Sequence, residues 1–118
     1  MSEELIIFPN ELPLQSYQSL YLKVCNQIAK DFYPYVEMSA LPEILEASWI
    51  KSELQKMLTI LVRDQAGALG AVIYRVDLTE KNVRKTMNSS TASEKLDELA
   101  AMILRREAQK VWLRHTLK

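Results

Sequence analysis

Thr91-Ala92-Ser93-Glu94-Lys95-Leu96-Asp97-Glu98-Leu99-Ala100-Ala101-Met102-Ile103-Leu104-Arg105-Arg106-Glu107-Ala108-Gln109-Lys110-Val111-Trp112-Leu113-Arg114-His115-Thr116-Leu117-Lys118 runs without a glycine or a proline. Thr91 and Glu94 have capping-box spacing: the hydroxyl and the carboxylate can each satisfy a backbone N–H left unpaired in the first turn. Acids near the start and bases near the end complement the dipole of a helix. The stretch therefore predicts one long terminal helix, and with it an all-helical domain.

The rest of the chain agrees with that frame. Its 118 residues include only two Gly and four Pro, with 48% apolar and 25% charged side chains. This is ordinary for one globular domain with a real core and unlike a disordered chain. Leu14 to Tyr33 carries Leu14, Tyr17, Leu20, Tyr21, Val24, Cys25, Ile28 and Phe32 at helical spacing, and Pro34 stops it. Its opposite face is uncharged for much of its length: Gln15, Ser16, Gln18, Ser19, Asn26 and Gln27. Met38 to Ala47 reads as a loop leading into a short helix, with Ser39 as cap and Pro42 in the first turn. Ser48 or Ser52 then opens a helix to about Asp64, with Ile50, Leu54, Met57, Leu58 and Leu61 on its inner side.

Residues 65–76 are ambiguous. Ala66, Leu69, Ile73 and Val76 repeat at three and four, which favours helix, and Gly67, Ala68, Gly70 and Ala71 would give it a small-residue packing face. The Val and Ile content also admits a hairpin at about residues 57–77. Asp77 and Glu80 have the spacing of a second capping box opening a short helix to about Met87, with Asn88-Ser89-Ser90 as a turn. The reading is a compact all-α bundle of five or six helices with a long C-terminal helix, and an α+β fold with that hairpin as the alternative. Residues 1–13 form an extended arm, held open by Pro9 and Pro13, and residues 14–118 a single helical domain. The apolar Leu5–Phe8 run is expected to lie in a groove of the body.

Composition narrows function more by exclusion than by assignment. A single Cys25 removes intramolecular disulfides and Cys-rich metal sites. With an acidic N-terminus and no long apolar run, it favours a cytoplasmic setting without a membrane span. No HExxH, paired ExxH, GxGxxG, Walker-type loop or GxSxG occurs, so no cofactor or metal is expected. Gly67 to Gly70 matches a bare GxxG but lacks a Lys or Arg within it to hold a phosphate. Cys25 and His115 are a formal nucleophile–base pair, yet Cys25 belongs to an apolar stripe where thiols are inert. The expectation is a protein without catalytic activity.

Two basic features remain. Arg106, Lys110, Arg114 and Lys118 recur every fourth residue as an outward ridge on the terminal helix, with Trp112 nearly opposite as a core or interface anchor. Lys81, Arg84 and Lys85 form a second, smaller patch. The simplest account of the ridge is a set of cations complementing a helix C-terminus, worth about 0.3–1 kcal/mol each. Charge is also divided along the chain: residues 1–46 hold seven acids and two bases, and residues 47–118 hold eight acids and thirteen bases. The leading expectation is a protein-interaction or self-associating module using Arg106, Lys110, Trp112, Arg114 and Lys118. A nucleic-acid-binding domain that adds Lys81, Arg84 and Lys85 comes second, disfavoured by zero net charge. A small-molecule or lipid pocket lined by Trp49, Met57, Tyr74 and Trp112 comes third.

Overall fold

Five α-helices and one 3₁₀ turn make up the computed structural model, which describes residues 7–9, 12–89 and 91–117. In chain order they are α1 (Leu14–Phe32), α2 (Ala47–Asp64), the 3₁₀ turn Ala66–Ala68, α3 (Leu69–Val76), α4 (Glu80–Ser89) and α5 (Ala92–Thr116). The fold is all-α. The hairpin alternative fails because both of its arms, in α2 and α3, are helical.

The reading of residues 91–118 holds at its start: the Glu94 N–H donates to the Thr91 hydroxyl at 3.4 Å, and the Thr91 N–H to the Glu94 carboxylate at 3.3 Å. Thr91→Ala is expected to remove about 1 kcal/mol. It should lower the urea midpoint while the m-value stays constant. Beyond the cap, Leu99, Ala100, Ile103, Leu104, Ala108 and Val111 are buried, and α5 touches each of the other four α-helices. Against it pack Leu20, Val24, Ile28 and Phe32 from α1 and Ile50, Leu54, Met57, Leu58 and Leu61 from α2.

Five local expectations are corrected. Residues 36–46 form no helix: the Ser39 N–H donates to Glu53 at 2.6 Å instead of capping a turn, and Gln18 holds both the N–H and the carbonyl of Leu45. Pro42 further biases the residue before it to an extended backbone. α2 then starts at Ala47, ahead of Ser48 and Ser52, with no side-chain cap. Asp77 ends α3 rather than opening α4. It takes the left-handed conformation (φ 70°), and the Leu78 N–H reaches back to the Ile73 carbonyl at 3.3 Å, a Schellman-type stop that Asp tolerates. Thr79 caps α4 by accepting from the Asn82 N–H at 3.4 Å, and α4 continues to Ser89 through the expected turn. Gly67 and Gly70 make no close packing face, since a Cβ built on either meets nothing within 4 Å.

Leu5 and Ile6 lie outside the described residues, but Phe8 is buried against the body. Its ring sits 5.9 Å from that of Tyr21 and 6.0 Å from that of Trp112. The Tyr17 hydroxyl fixes the segment by donating to the Pro9 carbonyl. No described helix is long and apolar enough to cross a membrane.

Candidate functional site

The basic ridge of α5 is a seam rather than an outward crest. Arg106 grips the end of α3: Nη2 lies 2.6 Å from the Asp77 carboxylate and Nε donates to the Asp77 carbonyl at 3.2 Å. One turn on, Lys110 donates to Asp31 Oδ2 of α1 at 3.1 Å and to the Arg75 carbonyl of α3 at 3.2 Å. One turn further, Arg114 Nη1 donates to Gln27 Oε1 of α1 at 2.8 Å. Three successive ridge positions thus tie α5 to α1 and α3. Lys118 lies outside the described residues.

Beneath the middle rung is a buried ionisable cluster. Asp31 and Glu107 are 5% and 0% exposed, and the Lys110 ammonium also lies 2.6 Å from Glu107 Oε1. Apart from that close contact with the Lys110 ammonium, neither Glu107 oxygen has a well-directed hydrogen-bond donor. Burial and a hydrogen bond to Asp31 push the Glu107 carboxyl up to about 8, with Lys110 pulling the other way. A protonated Glu107 resolves the geometry, because it becomes a donor to the Asp31 carboxylate. The cluster at neutral pH is then one acid, one carboxylate and one ammonium, with no net charge buried.

Above this seam the surface opens into two adjoining clefts, of about 360 and 710 Å³, that share Gln27, Lys30 and Arg114. The smaller runs between α1 and α5, with Lys23, Asn26 and Lys30 on one wall, Arg114 and His115 on the other, and Val111 as floor. The larger continues over Tyr33 and Pro34 to Arg75 and Lys110. Arg75 donates to the Tyr33 carbonyl, and its guanidinium lies 5.6 Å from the Tyr35 ring centroid, so it is held in place. Five cations line the combined groove, and its one carboxylate, Asp31, is already bound to Lys110. Lys23 and Lys30 have no ion-pair partner among the described residues. Both add charge to a face of α1 whose other polar side chains, Asn26 and Gln27, are neutral. The two lysines stand seven residues apart, two helical turns or roughly 10 Å, a spacing that marks one face.

The other candidates are dispersed. Lys81, Arg84 and Lys85 are exposed on α4, where Arg84 lies 3.8 Å from Glu80. Trp112 is half-buried between Phe8 and His115, with its ring 5.5 Å from the imidazole. Met57 is in the core whereas Tyr74 is 84% exposed, so the four residues suggested for an internal pocket share no lining. Burial, with a smaller push from Glu53, drives the Cys25 thiol up to about 11. It is a core side chain, separated by burial from the exposed His115. Among the described residues no cluster of three His, Cys, Asp or Glu could hold a metal ion.

Comparison with known protein families, curated proteins and solved structures found no match for this chain.

Proposed function

We propose that this protein is a non-enzymatic interaction module whose α1/α5 groove docks an acidic segment of a protein partner. The observation that carries the reading is the pair of unpartnered cations, Lys23 and Lys30, facing Arg114 and His115 across an apolar floor at Val111. Carboxylates spaced along a peptide can meet the rim while an apolar side chain between them covers Val111. Rim charges of this kind govern capture rate and salt dependence more than ultimate affinity. The Asn26 amide supplies a neutral hydrogen-bonding group between the cations, whereas that of Gln27 is engaged by Asp31 and Arg114. The deeper cations, Lys110 and Arg106, are bound within the fold and are not offered to a ligand.

Fluorescence anisotropy with a labelled peptide of alternating Glu and Leu tests the reading, with a duplex DNA and a single-stranded RNA as parallel probes. The peptide is expected to bind at low salt and weaken as salt rises. Lys30→Glu with Arg114→Glu should weaken it about tenfold, since exposed pairs contribute roughly 0.2–1 kcal/mol each and reversal also adds repulsion. Arg84→Glu with Lys85→Glu should leave it unchanged. Preference for the nucleic acids, sensitive to the α4 substitutions, would transfer the function to the other basic patch.

A further inference from the structure

We infer that the segment received by the groove is residues 37–46 of a second copy of this chain. The inference rests on the groove's being a dock for acidic protein segments, and it names the occupant.

The connection between α1 and α2 has the complementary chemistry. It reads Glu37-Met38-Ser39-Ala40-Leu41-Pro42-Glu43-Ile44-Leu45-Glu46, and Glu37, Glu43 and Glu46 are exposed with no ion-pair partner among the described residues. Two apolar side chains project beside them, Leu41 at 38% and Ile44 at 63% exposure. Ile44 flanked by Glu43 and Glu46 matches an apolar floor flanked by lysines and an arginine.

The segment is also preorganised. Leu45 is buried and bound through both backbone groups to Gln18 at 2.7 and 2.8 Å, while Ser39 is bound to Glu53 at 2.6 Å. Burial alone would raise the Glu53 carboxyl, but the hydrogen bonds from Ser39 and Lys56 outweigh it and hold it below its ordinary value. An acidic ridge fixed in this way loses little conformational entropy on docking.

The ridge cannot serve its own groove. At 100° per residue, Gln18 projects roughly 130° around α1 from the stretch that carries Lys23, Asn26, Gln27 and Lys30. The loop anchored on Gln18 therefore lies on another side of the helix, and the occupant comes from another molecule. Donor and acceptor patches differ, so the contact is heterologous: copies add head to tail until a ring closes or the chain stays open. The patch is small and rimmed by exposed charge, which makes the association weak and salt-sensitive.

Sedimentation velocity across concentration at low and high salt tests this, using the full chain. The weight-average mass should rise above 13.6 kDa with concentration at low salt and return to that value at high salt. A groove variant, Lys30→Glu with Arg114→Glu, and a loop variant, Glu43→Gln with Glu46→Gln, should each be monomeric. Mixed together they retain one intact loop and one intact groove, and should form a one-to-one dimer that grows no further. All four positions are at the surface, and the two variants test the contact independently should one fold poorly. A wild-type chain that stays monomeric under every condition overturns the inference, as does association untouched by both variants or a mixture that fails to pair. If the Glu-Leu peptide still binds a monomeric wild type, only the occupant is wrong and the groove reading stands. If neither event occurs, both fall.

Discussion

Lys110→Met is expected to destabilise the protein by about 3–5 kcal/mol, far more than loss of any exposed ion pair. The side chain is 13% exposed and stands between Asp31 at 3.1 Å and Glu107 at 2.6 Å, which are 7% and 0% exposed as side chains. Methionine fills similar volume and removes the ammonium, leaving the buried Asp31 carboxylate without the cation it is paired with. It also strips a donor from the Arg75 carbonyl, which Lys110 reaches at 3.2 Å. The substitution therefore acts on both contacts that tie α5 to α1 and α3 at this level. Urea denaturation reads the change as a lower midpoint. Adding Glu107→Gln to Lys110→Met should recover part of the loss, because the amide keeps an N–H directed at Asp31 and cannot ionise. The double-mutant cycle then gives the coupling between the two positions. A midpoint shifted no further than that of a surface variant would mean that water reaches this cluster and that it is not a dry anchor.

The same cluster marks the boundary of what could be read from the chain. Helices α1, α2 and α5 were legible because Leu20, Val24, Ile28 and Phe32, then Ile50, Leu54, Met57 and Leu61, recur at the helical period and end in the core together. The capping box at Thr91 was legible because it is local: its two hydrogen bonds span three residues. Asp77 misled for the opposite reason, since its spacing to Glu80 is right but the end of α3 claims its backbone first. The direction of the basic ridge was not legible. Spacing places Arg106, Lys110 and Arg114 on one line of α5, but which way that line faces depends on where α1 and α3 pack. A clue was nonetheless present. Asp31 falls within the apolar stripe of Val24, Ile28 and Phe32, and Glu107 within that of Ile103, Leu104 and Val111. Acids on a buried stripe need an internal cation. The remaining lysine on the same rung is Lys110. The groove was half legible: its polar amides were noted, but Lys23 and Lys30 were not assigned to the same face of α1.

The second large effect is a dependence of stability on pH that Glu107 imposes. Its carboxyl has an ordinary value of 4.5 and is raised to about 8 in the fold, by burial first and by hydrogen bonding to Asp31 second. Between those two values the folded protein keeps the proton and the unfolded chain has lost it. The native state binds more protons there, so the contribution of Glu107 to stability is full below about 4.5, falls as pH rises, and is gone above about 8. The slope for one group is at most about 1.4 kcal/mol per pH unit, and the whole window amounts to a few kcal/mol. Glu53 works in the opposite sense, because its lowered carboxyl stabilises the fold above its ordinary value and loses that effect as pH falls. A raw stability profile mixes the two, whereas comparison with Glu107→Gln isolates the first. Glutamine presents a neutral donor to Asp31 at every pH, as the protonated acid does only below about 8. Urea unfolding of both proteins at mildly acidic, neutral and mildly alkaline pH is the measurement. The variant should match the wild type only below about 4.5 and exceed it by a few kcal/mol above about 8, with the curves already diverging at mildly acidic pH. Parallel curves would show that Glu107 ionises in the fold as it does in the unfolded chain. Lys110 would then be bridging two carboxylates at neutral pH, and the interior beneath the groove would carry a net negative charge.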